Sequence, residues 1–227
     1  MNIGVILAAG KGTRMGKELP KQYLLLNGKP ILSYSLDLFE ESQAIDKYLI
    51  VAGKGEASYI KENILYGEKY GKLIAIIEGG KERHDSVYAA LKIILEKKGN
   101  TDDAVFVFIH DAARPYADEE LLNRLDIAVR ESGAAVAGVP VKDTVKVVKN
   151  GVIETTPERA NLFAAQTPQC FLFKEIYNAY NKMYASETEI KITDDSQVME
   201  LFGSLKCRLI EGNYKNIKIT TEEDLKD

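Results

Sequence analysis

Cysteine is scarce in this 227-residue chain: Cys170 and Cys207 are the only two, far apart and in no metal-ligand spacing. That excludes a disulfide framework or a cysteine-built metal centre and predicts buried thiols in a reducing compartment. Histidine is as rare, with His84 and His110 alone, and no Ser/His/Asp or Cys/His nucleophile set is evident. Charge of one sign is lacking too. With 30 Lys and Arg against 34 Asp and Glu, the net charge of -4 gives no general attraction to a polyanion. Nucleic-acid or membrane binding would need a local basic patch. No apolar run approaches the length of a bilayer span. The first, Ile3–Ala9, is also too short for a signal peptide and has no basic flank. A cytoplasmic protein is expected. What remains is ordinary globular composition, 45% hydrophobic and 28% charged, and a length that suits one domain with a full core.

Short β-branched runs alternate with helical patterns and no low-complexity linker. The strand candidates are Ile3–Ala8, Tyr48–Ala52, Leu73–Ile77, Ala104–Ile109, Ala134–Val139, Lys206–Ile210 and Asn216–Thr220. Several are apolar on both faces, as strands covered on both sides should be. Leu32, Leu36 and Phe39 mark one helix between them. Val87, Leu91, Ile94 and Leu95 mark another, ended by Gly99. A third runs from a cap at Asp118 through Leu121, Leu122, Leu125 and Val129 to Gly133. This alternation implies an α/β fold with a doubly wound, mainly parallel sheet, whose ligands collect at the carboxyl ends of the strands. One segment departs from it. Thr144–Thr156 holds two strand-like runs around Asn150-Gly151, the strongest short hairpin signal. A two-stranded ribbon is marginal in water, so the expectation is a projecting arm packed on a second subunit, with a hairpin lying on its own domain as the alternative.

The chemistry concentrates in a few turns. After the first strand comes Leu7-Ala8-Ala9-Gly10-Lys11-Gly12-Thr13-Arg14-Met15-Gly16. Glycines let the backbone turn and aim successive N–H groups at phosphate oxygens. The stretch matches neither the P-loop ending nor the dinucleotide G-x-G-x-x-G spacing. It carries cations instead, Lys11 and Arg14, with Lys21 shortly after, as transfer at an α-phosphate requires. Ile109-His110-Asp111-Ala112-Ala113-Arg114-Pro115 ends an apolar strand. Asp111 there reads as a Mg²⁺ ligand or a binder of substrate hydroxyls, Arg114 as a phosphate or orienting group, and His110 as structural; a plain Asp–Arg pair closing the turn is the alternative. Gly79-Gly80 and Ser86 could read a base edge or form a simple turn. Thr193 reads as a helix cap, and Thr220-x-x-Glu223 as a capping box. Lys218, alternating with Ile217 and Ile219, faces either solvent or the cleft. With no nucleophile set, direct attack of an incoming phosphate oxygen on the α-phosphate, pyrophosphate leaving, is the reaction to expect.

These motifs in this order resemble the 2-C-methyl-D-erythritol 4-phosphate cytidylyltransferases of the non-mevalonate isoprenoid pathway. The resemblance runs from about Ile3 to Asp224 and rests on LAAGKGTRMG, PKQY, GGKERHDSV, HDAARP, VKDTVK, AQTPQ.F, TDD and NIKIT. It implies one Rossmann-like nucleotidyltransferase domain over residues 1–227, of the nucleotide-diphospho-sugar transferase kind. Residues 141–168 would contain a dimerisation arm of an interlocked homodimer, and CTP and Mg²⁺ would be bound. Carried over by position, Leu7, Ala8, Ala9, Gly10 and Gly12 would hold the triphosphate. Arg14, Lys21 and Lys218 would be the catalytic cations, and Gly79, Gly80, Arg83 and Ser86 would surround cytidine. Asp111 would meet metal or substrate, beside Arg114. Thr144 and Arg159 from the partner's arm, with Thr167 and Thr193, would grip the polyol phosphate. Lys81 and Ser196 depart from the usual acid and alanine. Two other readings stay open. Ribitol-5-phosphate cytidylyltransferases share the fold, but more often resemble HDSVRP where this chain has HDAARP. A non-catalytic nucleotide-binding dimer would be expected to lose Arg14, Lys21 and Lys218, and all three are present.

Overall fold

Runs that are apolar on both faces become the interior of a sheet covered on both faces. The computed structural model describes residues 1–10, 19–65, 69–98, 104–186 and 190–225. In chain order its strands are β1 Asn2–Ala8, β2 Leu25–Leu26, β3 Lys29–Pro30, β4 Lys47–Ala52, β5 Leu73–Glu78, β6 Phe106–Asp111, β7 Ala134–Pro140, β8 Val147–Lys149, β9 Val152–Thr155, β10 Phe163–Leu172 and β11 Arg208–Glu211. The helices are α1 Ile31–Glu41, α2 Ala57–Asn63, α3 Arg83–Lys97, α4 Glu119–Ser132, α5 Phe173–Ala185 and α6 Asp195–Phe202.

Seven strands form one sheet in the order β11-β7-β10-β6-β1-β4-β5. Neighbours are parallel except at β10, which runs antiparallel to both β6 and β7. Successive residues of β1 serve opposite layers. Ile6 packs with Leu36 and Phe39 of α1 and Leu122 of α4. Val5 packs with Val87 and Leu91 of α3 and Ile176 of α5. Each such fully buried side chain contributes about 1.5–3 kcal/mol. From β1 the chain builds outward to β4 and β5, then returns to place β6 on the other side of β1. The order therefore reverses between β1 and β6, where Leu7 lies in register with Asp111. That reversal is where a doubly wound sheet opens a crevice.

Local signals set several boundaries. Asp118 caps α4 by accepting from Leu121 N–H at 2.8 Å, and Gly133 ends it at φ 74. Asn150 and Gly151 both have positive φ, 50 and 79, as the two-residue turn between β8 and β9 demands. Every residue of β8 and β9 is exposed, Val152 at 67%, so the hairpin does not lie on its own domain.

Other expectations need correction. β6 begins two residues later than expected and extends through His110 and Asp111. Asn216–Thr220 is not a strand; beside β6 the sheet is already filled by β1 and β10, and Ile219 N–H instead donates to Ala113 O at 2.8 Å. β10 gave no strand signal because Pro168 interrupts it, and its pairing with β7 shifts register between Ala165 and Gln169, where proline breaks no ladder. Its first residues fall within the 141–168 segment, so 163–168 belong to the sheet and the arm proper precedes them. α6 is capped by Asp194, which accepts from Gln197 N–H at 3.0 Å, rather than by Thr193. Near the C-terminus Asp224, not Glu223, accepts from Thr220 and Thr221 N–H. Gly99 lies outside the described residues.

Candidate active site

Two adjoining clefts open at the β1/β6 reversal. The first, about 190 Å³, is lined by Leu7, Ala8, Ala9, Gly10, Lys21, Gly80, Arg83, Ser86, Asp111 and Lys218, among others. Its floor is backbone. Gln22, itself buried, donates to Ala8 O at 2.5 Å and steadies the start of the loop. Gly79 stands just behind: it donates to Ala52 O, and a Cβ there would come 2.6 Å from Ala9 Cβ and from Ser86 Oγ. Only glycine lets these three segments close together. Ser86 Oγ accepts from Gly80 N–H at 3.1 Å and donates to Glu82 O at 3.3 Å, tying the glycine turn to the first turn of α3.

The second cleft, about 260 Å³, is lined by Arg114, Ala165, Gln166, Thr167, Gln169, Thr193 and Asp194. It shares Arg83, Asp111 and Lys218 with the first. These three form the partition. Arg83 Nε donates to Asp111 Oδ1 at 3.1 Å, and Lys218 Nζ to Asp111 Oδ2 at 2.6 Å. Burial alone would raise the Asp111 carboxyl. Arg83 and Lys218, with Arg114 behind them, instead hold it far below the usual carboxylate range. Asp111 is thus an anion at 8% exposure, facing both clefts.

The segment carrying Lys218 is pinned without a β ladder. Arg114 Nη1 donates to Asn216 O at 2.7 Å, Asn216 Nδ2 to Thr167 O at 2.9 Å, and Lys21 Nζ to Ile219 O at 2.9 Å. Lys21 is thereby tied to the residue that follows Lys218. Of the two chances left by the sequence, Lys218 faces the cleft.

Behind Asp111, the buried His110 Nδ1 lies 3.1 Å from Thr167 Oγ1, and Nε2 lies 3.2 Å from Arg114 O. Burial depresses its pKa to about 4, so the ring is neutral at pH 7. Thr167 Oγ1 accepts from Asp111 N–H at 3.0 Å. Its hydroxyl proton is then best given to Nδ1, leaving Nε2–H to donate to Arg114 O. His110 thus ties the end of β6 to Thr167 and Arg114 and lines neither cleft.

Not every expected residue meets the rest. Gly12 and Arg14 lie outside the described residues, as does Lys11. Thr144 and Arg159 belong to the arm region; Arg159 donates to Lys142 O at 2.9 Å, and neither residue lines either cleft. Thr193 reaches the rim, where its N–H and hydroxyl both donate to Gln197 Oε1. Arg83 meets two carboxylates, Asp111 through Nε and, at 2.9 Å from Nη1, Asp195, and leaves Nη2 buried without a hydrogen-bond partner. Asp195 carried no role in the sequence reading. It is fully buried, and burial, with the Asp111 charge adding to it, leaves its carboxyl above the usual carboxylate range although Arg83 and Tyr180 lower it in part. Gln169 was missed too: its Oε1 accepts from Asp195 and Ser196 N–H and its Nε2 donates to Asp194, joining β10 to α6. The motifs TDD and AQTPQ contained both residues, but nothing local tells a buried carboxylate from an exposed one.

A glycine-rich backbone turn, two lysines and an ionised aspartate gathered at the switch point of a doubly wound sheet define a nucleotidyltransferase. The family model described as IspD, 2-C-methyl-D-erythritol 4-phosphate cytidylyltransferase, matches residues 3–227. The chain belongs to that family. It is 47% identical over 225 residues to the 2-C-methyl-D-erythritol 4-phosphate cytidylyltransferase of Clostridium perfringens (98% of this chain, 95% of the relative). With that of Lachnospira eligens it shares 43% over 226 residues, 99% and 96% of the two chains. The crystal structure of 4-diphosphocytidyl-2C-methyl-D-erythritol synthase from Anaerococcus prevotii superposes with a TM-score of 0.82 at 35% identity, covering 99% of this chain and 92% of that one.

Proposed function

We propose that this chain transfers CMP from CTP to 2-C-methyl-D-erythritol 4-phosphate, a step of non-mevalonate isoprenoid biosynthesis. A phosphate oxygen of the alcohol attacks the α-phosphorus, the bond from that phosphorus to the bridging oxygen breaks, and pyrophosphate leaves. The product is 4-diphosphocytidyl-2-C-methyl-D-erythritol. The observation that carries the reading is the pair of clefts sharing Arg83, Asp111 and Lys218. One cleft takes the nucleotide, the other the polyol phosphate, and the α-phosphate lies at the partition. Leu7–Gly10 border the triphosphate, with Gly12 of the same loop outside the described residues, and Gly80 and Ser86 border cytidine, with Gly79 behind them and Arg83 at the edge. Lys21, Arg14 and Lys218 counter the negative charge that grows on the phosphoryl oxygens. Arg114, Thr167 and Thr193 line the alcohol's side.

Magnesium fits this donor set. No group of three His, Cys, Asp or Glu able to hold a metal occurs among the described residues. Mg²⁺ on a nucleotide, however, needs only one or two carboxylates beside phosphate oxygens and water. Asp111 would supply that carboxylate, and the ion would neutralise charge on the leaving pyrophosphate.

The arm belongs to the same reading. Val147, Val148, Val152 and Ile153 present exposed apolar surface on a ribbon too small to be stable alone. Packed on a second copy, it would bring Thr144 and Arg159 to the partner's alcohol site. A cytoplasmic location completes the proposal; no helix among the described residues is long and apolar enough to cross a membrane. The test is pyrophosphate release from CTP with methylerythritol 4-phosphate and, in parallel, ribitol 5-phosphate. A higher kcat/KM for the former is expected, and clear preference for ribitol phosphate would overturn the choice of alcohol.

A further inference from the structure

Arg83 is the first residue of α3, at the positive end of a helix where a cation is disfavoured. It is held there by acids on two sides. Nε goes to Asp111, and Nη1 goes to Asp195, the first residue of α6. Asp195 is fully buried, and its other oxygen, Oδ1, accepts from the hydroxyl of buried Tyr180 on α5 at 2.6 Å. Its backbone N–H donates to Gln169 Oε1 at 3.1 Å. A chain of contacts thus runs Tyr180–Asp195–Arg83–Asp111–Lys218, from under α5 to the partition between the clefts. Each opposite charge in it meets at 3.1 Å or less.

An arginine facing a carboxylate forms its strongest bond bidentately, with both oxygens. Arg83 instead gives Asp111 a single donor, Nε, while Nη1 lies in an ion pair 2.9 Å from Asp195 Oδ2 and Nη2 is buried without a hydrogen-bond partner. Asp111 Oδ2 is thereby left to Lys218. The contact also bridges the start of α3, beside the glycine turn of the first cleft, to the start of α6, beside Thr193 and Asp194 of the second.

We propose that Asp195, anchored by Tyr180, is a positioning residue for the transfer: by turning the Arg83 fork it fixes Asp111 and Lys218 at the boundary where nucleotide and alcohol phosphate meet. The inference rests on the cytidylyl-transfer reading and names a part of that site which touches neither substrate. Without the Asp195 charge, Arg83 is free to take both oxygens of Asp111 and displace Lys218. Nucleotide binding along the backbone turn would survive this, but the alignment needed at the α-phosphate would not.

The experiment compares wild type, Asp195→Asn, Tyr180→Phe, Arg83→Gln and the Arg83→Gln/Asp195→Asn double variant in steady-state kinetics, with unfolding midpoints measured alongside. Asp195→Asn should lower kcat about 10- to 100-fold, the range for residues supporting a site from behind, and leave KM for CTP within about threefold. Tyr180→Phe keeps the carboxylate and should act in the same direction but less. In the Arg83→Gln background, adding Asp195→Asn should cost less than about twofold, since the residue acts through Arg83. Asp195→Asn with wild-type kcat, or a loss of the same size with and without Arg83, would overturn the inference. If Asp195→Asn does not fold, wild-type kcat in Tyr180→Phe overturns it. Wild-type enzyme that releases no pyrophosphate from CTP and methylerythritol 4-phosphate overturns the functional reading and this inference together; active wild type with unaffected variants overturns only the latter.

Discussion

Alanine at position 79 would add a methyl carbon 2.6 Å from both Ala9 Cβ and Ser86 Oγ, and 3.2 Å from Val51 Cγ1. Unstrained carbon contacts lie near 3.5–4.0 Å, so about 1 Å of space must be opened. Ser86 can turn aside only by giving up the hydrogen bond from Gly80 N–H. Ala9 has no rotor, so its backbone must move, and that backbone lines the first cleft. A misplacement near 1 Å at a reacting group can cost about 100-fold in rate, or about 2.7 kcal/mol of barrier. The same overpacking should lower stability by about 1–3 kcal/mol. Gly138→Ala separates the two effects. Its Cβ would meet Leu209 Cδ1 at 2.8 Å and Ala164 O at 3.3 Å, yet Gly138 lines neither cleft. Urea titration should show both variants destabilised, while pyrophosphate release should show kcat/KM for CTP reduced only in Gly79→Ala. Wild-type kinetics in Gly79→Ala, or an equal kinetic loss in both variants, would refute the claim that Gly79 sets the position of the phosphate turn.

Lys21→Ala should lower kcat by about 10²–10³-fold with KM for CTP changed little, because its charge matters most in the transition state; a loss of affinity at unchanged kcat would contradict that role. Arg159→Ala should weaken the alcohol phosphate. Mixing inactive Arg159→Ala with inactive Lys21→Ala should restore about a quarter of wild-type activity by random exchange between symmetric dimers, each mixed dimer having one intact site. No recovery, with exchange confirmed by native mass spectrometry, would argue against a site completed in trans. Burial pushes the Cys207 thiol up to about 12, with Glu200 and Asp194 adding to it, and Cys170 is also raised well above its ordinary range. At pH 8 Cys207 would then be thiolate at about 10⁻⁴, against about a quarter for an ordinary thiol. Iodoacetamide should therefore label the partly buried Cys207 of the native protein more slowly at pH 8 than it labels an ordinary thiol, and labelling as fast as an ordinary thiol would contradict the raised thiol.

Much of the frame was legible because its signals are local. Asp118 and Gly133 bound α4, Asn150-Gly151 turns the arm, and the unbroken apolar runs of β1, β4 and β6 announce a sheet covered on both faces. Lys218 shows where such reading stops. Its neighbours Ile217 and Ile219 suggested a strand with one apolar face, yet Ile219 is fully buried and Ile217 is 41% exposed. An extended segment is extended whether or not it joins a ladder, and only the occupancy of the adjacent sheet positions decides. β10 was hidden for the opposite reason: Pro168 and three polar residues, Gln166, Thr167 and Gln169, mask a strand that pairs with two others.

The sequence by itself determined where the backbone turns, which runs must be buried, and that the first turn brings glycine and cations together. Such properties are carried by dihedral preference, spacing and side-chain polarity within a few residues. The tertiary structure decided which charges meet. Asp111 is an anion because Arg83 and Lys218 reach it from distant parts of the chain, and Asp195 meets Arg83 from a third. Electrostatic interaction depends on distance and burial, and for residues so far apart in sequence both are set by how strands, helices and the 216–219 segment pack together.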